Sequence, residues 1–103
     1  MQATETVNNL YPLEKALNDY KRDYALIYPI LEASKGLISK WSIPNKKSDF
    51  IIISNSTKKQ GYIQLTYFDS FGPAYDLQRK TLKEIAQELT FMRASIHTIN
   101  YIF

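Results

Sequence analysis

The sequence contains no cysteine, which excludes disulfide bonds and thiolate metal sites. The fold must therefore stand without covalent cross-links, and the chain suits a reducing compartment, so the cytoplasm is the expected location. No apolar run approaches the length of about 18 residues that a membrane-spanning helix requires. The N-terminal stretch MQATETVNNL is polar and acidic, whereas a signal peptide would begin with basic and then apolar residues. We expect no membrane partner.

Histidine is almost as scarce, because His97 is the only one in the chain. The sequence also lacks the G-x-S-x-G, H-E-x-x-H and Gly-rich phosphate-loop motifs, and no residues have the spacing of a recognised metal or cofactor site. An enzyme would have to rely on Asp69, Asp76 or His97, and a general base needs an orienting partner that no spacing supplies. We expect neither catalysis nor a metal or cofactor, and keep a small enzyme using these three residues as the second alternative.

What the chain does contain is an ordinary globular composition with many aromatic rings. Its 103 residues correspond to a single domain, residues 1–103, with residues 1–8 as a polar lead-in. Hydrophobic residues make up 45% and charged residues 22%, which argues against disorder. Eight residues are tyrosines, which combine apolar area with a hydroxyl and therefore suit both core edges and contact surfaces.

A long apolar stripe begins at Leu10. Apolar residues then recur at alternating steps of three and four as far as Trp41, which is the spacing of a helix packed on a neighbour. Pro29 interrupts the stripe and disfavours a continuous helix. The pattern predicts a helical pair, about residues 10–27 and 30–41, in which Gly36 is the weak point of the second helix.

The middle of the chain reads as a β-hairpin. Residues 42–49 form a connector, and residues 50–54 are β-branched and predict a buried strand. Residues 62–68 alternate in polarity and predict a second strand, whose Ile63, Leu65 and Tyr67 should face the core. Gly61 suits a left-handed position in the turn between the two strands.

The C-terminal third predicts one helix and one strand. Thr81 followed by Glu84 is a capping box, and the apolar stripe behind it consists of Leu82, Ile85, Ala86 and Leu89. Residues 95–103 form an apolar, uncharged strand, which should pair within the domain or, failing that, join a second copy in a homodimer. The order is α-α-β-β-α-β, and the fold class is α+β, with the helical pair packed on a small antiparallel sheet.

The stretch TYFDSFGPAYD, residues 66–76, combines rings, carboxylates and a Gly-Pro turn signal. Asp69 and Asp76 are explained as turn residues that accept hydrogen bonds from backbone N–H groups. Phe71 and Tyr75 would serve a partner-binding loop, although a position for Phe71 in the core is slightly favoured.

Many of the basic residues occur in adjacent pairs, and the chain has a net charge of +3 and a pI of about 9.1. Three pairs lie beside or within the predicted hairpin, with one further lysine close behind them: Lys46-Lys47, Lys58-Lys59, Arg79-Lys80 and Lys83. On the predicted hairpin the first and third pairs share one end, among acidic residues, and the second pair lies at the opposite end. This arrangement is unlike the unbroken basic stripe of a duplex-binding protein.

These patterns favour a small non-catalytic interaction protein that docks onto another macromolecule, most naturally a protein. Inhibitors, adaptors and accessory proteins, including those of phages and other mobile elements, are of this kind. The expected contact residues are an aromatic and basic set: Phe71, Tyr75, Tyr62, Lys58 and Lys59. The first alternative is a nucleic-acid-binding regulator, which would use Lys46, Lys47, Lys58, Lys59, Arg79, Lys80 and Lys83.

Overall fold

The structure, a computed structural model, describes the backbone of residues 2–102 and the side chains of residues 11–102. Its elements are helix α1 (Gln2–Ala33), strands β1 (Ser39–Ile43), β2 (Lys46–Asn55), β3 (Ile63–Asp69) and β4 (Gly72–Arg79), helix α2 (Leu82–Phe91) and strand β5 (Ser95–Ile99). The strands form one antiparallel sheet in the order β4-β3-β2-β1-β5. The predicted α+β class is confirmed, and the element order is α-β-β-β-β-α-β rather than α-α-β-β-α-β.

The predicted helical pair is corrected to a single helix. Helix α1 passes through Pro29 without ending and stops only at Ala33. A proline removes the hydrogen bond to the carbonyl four residues earlier, here that of Ala25. Since the side chains of Pro29 and Ala25 are both exposed, this carbonyl lies on the solvent side of the helix. Residues 2–8 of the predicted lead-in belong to the same helix, whereas Met1 and Phe103 lie outside the described residues.

The second predicted helix is replaced by a turn and a strand. Gly36 has a φ of +81°, a left-handed conformation that ends the helical path. Strand β1 follows, in which Ser39 and Trp41 are buried on one face and Lys40 points to the other. The predicted connector contains a tight turn at Asn45, whose φ is 64°, and strand β2 begins directly after it.

Both helices pack against one face of the sheet. They contribute Ile27 and Leu31 from α1 and Ile85, Ala86 and Leu89 from α2, and the sheet contributes Trp41, Ile51, Ile53 and Leu65. The predicted core strand is confirmed, because Leu65 is fully buried and its neighbours on the same face pack against the core. The two helices run antiparallel, since the ring of Tyr20 lies 5.2 Å from that of Phe91 at one end and Leu31 and Leu82 line a common cavity at the other.

Helix α2 forms where the capping box places it. The Thr81 hydroxyl accepts a hydrogen bond from the backbone N–H of Glu84 at 3.2 Å and donates one to its carboxylate at 3.1 Å. These contacts satisfy one of the orphan donors of the first turn. Of the predicted apolar stripe, Ile85, Ala86 and Leu89 are buried, and Leu82 is half-buried against the core.

Strand β4 is the largest departure from the predicted fold. The stretch around Gly72-Pro73 is not an extended turn, because Gly72 opens an edge strand and Pro73 is its second residue. Proline is tolerated on an edge strand, where its missing N–H can face solvent. The β2–β3 hairpin is confirmed, and β4 adds to it with Ile63 opposite Arg79. The chain thereby returns to the loop that carries Lys58 and Lys59. The predicted proximity of the first and third basic pairs is therefore wrong, and the second and third pairs share an end instead.

The other face of the sheet is covered by no helix of the described chain, and we call it the open face. By strand alternation it carries Lys40, Phe50, Ile52, Gln64, Thr66, Phe68, Asp76 and Gln78. Strand β5 lies at the sheet edge and pairs with β1, as predicted for pairing within the domain. The backbone N–H of Tyr101 continues this pairing with a 2.8 Å hydrogen bond to the carbonyl of Ile38.

Candidate functional site

Three of the basic and aromatic residues at one end of the sheet form a compact cluster, which we call the tyrosine–lysine surface: Tyr62, Lys59 and Lys80. The Nζ atoms of Lys59 and Lys80 lie 5.3 and 5.7 Å from the centre of the Tyr62 ring, within the range of cation–π contacts. The register explains the third member, because Ile63 opposite Arg79 places Lys80 beside Tyr62. Of the predicted contact residues, the structure thus brings together Tyr62 and Lys59, with Lys58 on the same loop.

The loop that carries this surface is held by its own hydrogen bonds. The Ser56 hydroxyl accepts from the backbone N–H groups of Lys58 and Lys59 at 3.0 and 2.9 Å. The N–H of Ser56 donates to the carbonyl of Tyr62 at 2.9 Å, and Gly61 takes the predicted left-handed conformation with a φ of +83°. A loop ordered before binding loses little conformational entropy when a partner arrives.

A cavity of about 530 Å³ opens beside the tyrosine–lysine surface. It lies where the end of α1, the β2–β3 loop and the start of α2 meet, and its walls include Leu31, Ile63 and Leu82 along with Lys35 and Lys80. The volume falls in the range typical of ligand sites, and the wall combines apolar area with polar groups that orient a ligand. The two lysines make this cavity suited to an anionic group.

The other members of the second and third basic pairs, Lys58 and Arg79, form ion pairs. Lys58 donates to the carboxylate of Asp76 at 2.8 Å, and this contact, followed by a hydrogen bond from Gln78, lowers the pKa of Asp76. Arg79 pairs with Glu88 at 3.0 Å. The predicted turn role of Asp76 is wrong, because strand β4 directs this carboxylate across the open face. Lys83, on helix α2, is exposed.

The tip of the β3–β4 hairpin holds two of the other predicted contact residues. The side chain of Phe71 is 97% exposed, so the favoured position in the core is wrong. The carboxylate of Asp69 accepts from the backbone N–H of Phe71 at 2.8 Å, which confirms its role as a turn residue. Tyr75 is 44% exposed and its ring stacks on that of Tyr67 at 5.2 Å. The hairpin tip lies at the opposite end of β3 from the tyrosine–lysine surface.

Tyr67 is hydrogen-bonded to a carboxylate, and this contact predicts how the stability of the fold depends on pH. Its hydroxyl donates to Asp49 at 2.5 Å, and this bond, reinforced by burial, raises the pKa of Tyr67 to about 12. A raised pKa means that the stabilisation is complete below pH 10, the ordinary value, and is lost as the pH rises towards 12. We expect Tyr67→Phe to lower the free energy of unfolding by about 1–2 kcal/mol at pH 8, since the bond is charge-assisted.

Urea unfolding at pH 8, 10 and 11 measures this coupling. The difference in free energy of unfolding between the native chain and Tyr67→Phe should be largest at pH 8, begin to narrow at pH 10, the ordinary pKa of tyrosine, and narrow further at pH 11. Tyr11→Phe is the control, because the Tyr11 side chain is 66% exposed and its replacement should leave stability unchanged. A difference that stays constant at pH 11 would contradict the coupling.

The open face carries an aromatic and basic cluster that the sequence does not reveal. The rings of Phe50 and Phe68 stack at 4.7 Å, and the Nζ of Lys40 lies 4.6 Å from the centre of the Phe50 ring and 5.1 Å from that of Tyr101. At the end of this face, a cavity of about 450 Å³ is lined by Lys40, Lys46, Lys47, Phe50 and His97, together with Asp49. The strand pairing that assembles the cluster involves β1, which the sequence pattern assigns to a helix.

The N-terminal part of α1 is a second feature that sequence reasoning interprets incorrectly. The side chains of residues 11–18 are all exposed, so helix α1 extends beyond the sheet and α2. Tyr11, Leu13 and Leu17 are 66%, 66% and 51% exposed. The spacing of the apolar stripe predicts a helix packed within the domain, whereas the structure leaves the described start of the stripe exposed. The side chain of Leu10, where the stripe begins, lies outside the described part.

The three residues of the enzyme alternative do not converge. Asp76 lies on β4 and His97 on β5, the opposite edges of the sheet. Four strand spacings of about 4.8 Å separate these edges by about 19 Å. Asp69 is committed to its turn. Within the described residues, no group of three or more acidic or histidine side chains is arranged to hold a metal ion.

The described helices include none with the length and apolar character needed to cross a membrane. Comparison of the chain with protein-family models, with curated proteins and with solved structures finds no match.

Proposed function

We propose that the protein is a small non-catalytic interaction protein that docks onto an acidic segment of another protein through the tyrosine–lysine surface. The observation that carries the proposal is that two lysine ammonium groups lie within cation–π distance of the Tyr62 ring, which lines a cavity. Aromatic residues flanked by cations are typical of the energetically dominant centres of protein interfaces. The native role is that of an inhibitor, adaptor or accessory protein, such as those of phages and other mobile elements.

The geometry defines what the acidic segment must supply. Carboxylates of the partner would pair with Lys59 and Lys80. Within the described residues, neither of these ammonium groups forms an ion pair with a carboxylate. An apolar or aromatic side chain of the partner would lie over Tyr62 and enter the cavity. The lysine at its wall, Lys35, extends the same positive field. We place the protein in the cytoplasm, because a cysteine-free chain suits a reducing compartment.

Two matched double variants test this function. We expect Lys59→Ala/Lys80→Ala to weaken binding of the native partner at least tenfold, because it removes two charged contacts at the centre of the surface. Lys46→Ala/Lys47→Ala is the control, since it removes the same charge at the other end of the sheet. Partners are captured from host lysate with the native chain and each variant, and the affinity of the captured protein is then measured by calorimetry.

Equal affinity for the two double variants would contradict the proposal. Since both variants lose two positive charges, a partner that responds only to net charge weakens equally with both. A partner that is lost only with the control variant would assign docking to the opposite end of the sheet.

A second candidate function, a regulator that binds single-stranded nucleic acid, is favoured by the open face. Bases stack on aromatic rings beside cations, and Phe50 with Lys40 offers this combination next to Lys46 and Lys47.

A fluorescent single-stranded oligonucleotide is therefore the second probe for the same variants. Contacts to about four phosphates would weaken binding about 50-fold between 50 and 200 mM salt. Binding that is lost with Lys46→Ala/Lys47→Ala and retained with the other double variant would favour this candidate, and no binding at 50 mM salt would remove it.

A further inference from the structure

The cavity beside the tyrosine–lysine surface has more volume than one side chain of a docking partner fills. It measures about 530 Å³, whereas a cavity of about 150 Å³ already accommodates a benzene ring. Cavities of about 300–1,000 Å³ are typical of sites for small molecules. This cavity therefore has room for a whole small ligand.

The lining of the cavity combines apolar area with positive charge. Leu31 and Ile53, both members of the hydrophobic core, give it an apolar wall. Lys35 and Lys80 line the same cavity, and the side chains of both lysines are exposed. Among the described residues that line the cavity, none is an aspartate or a glutamate. The complement of this lining is a molecule with an apolar body and an anionic head.

The positive charge of the two lysines is not neutralised by carboxylates nearby in the chain. The acidic residues nearest to Lys80 in the sequence have other contacts, since Asp76 forms an ion pair and Glu84 is bonded within its capping box. Glu32, the acidic residue nearest to Lys35, is exposed and does not line the cavity. Within the described residues, neither lysine of the cavity forms an ion pair. An arriving anion would therefore gain both charges without displacing a carboxylate.

We propose that this cavity binds a small organic anion, a carboxylate or a phosphate with an apolar body, whose charged head pairs with Lys35 and Lys80. Lysine is a point charge that accepts either head group. Binding of such a ligand needs no partner protein and goes beyond the docking described above. A ligand that fills the cavity would exclude a partner's side chain from it, so that the ligand would regulate docking, and this consequence alone rests on the proposed function.

A titration followed by proton–nitrogen correlation NMR tests the site with three matched probes. Phenylbutyrate carries both the apolar body and the charge, phenylbutyramide keeps the shape without the charge, and acetate keeps only the head. We expect phenylbutyrate to bind at least tenfold more tightly than either of the others, because only it satisfies both parts of the lining. The amide resonances of Gly36 and Gly61, which line the cavity, should shift on binding. Phenylbutyl phosphate has the same body, and tighter binding of this probe would assign the site to a phosphate head.

Two double variants with equal loss of charge locate the anion. Lys35→Ala/Lys80→Ala should reduce the preference for phenylbutyrate over its amide below twofold, whereas Lys46→Ala/Lys47→Ala should leave the preference intact. All four lysines are exposed, so both variants should fold. Equal affinity of the native chain for acid and amide, an equal response of the two variants, or no shift of the cavity amides at about 10 mM phenylbutyrate would overturn the ligand site. The titration uses the chain without a partner, so its failure is distinct from a failure of docking.

Discussion

Replacing Trp41 with alanine is expected to lower the free energy of unfolding by about 3–5 kcal/mol, the range typical of deleting a large buried ring. Trp41 is fully buried and belongs to the cluster that joins α1 to the sheet. Its indole N–H donates to the hydroxyl of Ser39 at 2.8 Å, so the deletion also leaves a buried hydroxyl without its donor. Because small domains are stable by only about 5–15 kcal/mol, this single change should bring the chain close to unfolding.

The measurement is urea unfolding followed by far-ultraviolet circular dichroism, since the substitution removes the only tryptophan fluorophore. Trp41→Phe is the matched variant, because it retains most of the ring volume and removes the hydrogen bond to Ser39. It should cost about 1–2 kcal/mol, which separates the packing contribution from the polar one. A loss of free energy of unfolding below about 1 kcal/mol for the alanine variant would show that the Trp41 side chain is not packed in the core beneath helix α1.

Trp41 also shows why part of the fold escapes a reading of the sequence. The three- and four-residue spacing from Leu31 to Trp41 fits one face of a helix. The two-residue spacing of Ser39 and Trp41 fits one face of a strand equally well. The backbone conformation at Gly36 decides between them, since its positive φ ends the helix before the stripe does. The periodicity of a short apolar run does not distinguish a helix from a strand.

Elements whose stabilising contacts are local in the chain were predictable. Helix α2 has its cap and its apolar stripe within eleven residues, Thr81 to Phe91, and both appear as expected. The β2–β3 hairpin likewise combines a β-branched strand with a turn glycine, Gly61. Strand β4 was not predictable in this way, because the Gly72-Pro73 signal indicates a turn and hides the strand that follows it.

The candidate site, like the fold, is predictable only where its residues are close together in the sequence. Tyr62 and Lys59 are neighbours on one loop, so the sequence alone places them together. Lys80 reaches the same ring only because β4 pairs with β3 over its whole length. A contact created by pairing between strands has no signature in the spacing of the residues. The hairpin predicted from the sequence therefore groups the basic pairs incorrectly.

Replacing Ile52 with alanine is expected to lower the free energy of unfolding by about 2–4 kcal/mol, although no helix of the described chain covers this residue. Ile52 is 1% exposed, and it lies outside the main core because strand alternation turns it to the open face. Its cross-strand neighbours are Lys40 and Thr66, and the stacked rings of Phe50 and Phe68 lie alongside. These side chains must exclude water from Ile52, and the aliphatic stem of the lysine contributes to that cover.

Urea unfolding of Ile52→Ala and Ile52→Val measures how well this small second core is packed. The valine variant removes one methylene and should cost about 0.5–1.5 kcal/mol, so the pair of values gives the dependence on removed volume. A cost below about 1 kcal/mol for alanine would mean that water reaches Ile52 and that the surrounding rings are not held in place. In that case the open face would lack the rigid stacking platform that binding of single-stranded nucleic acid requires, since bases stack on rings whose positions are already set.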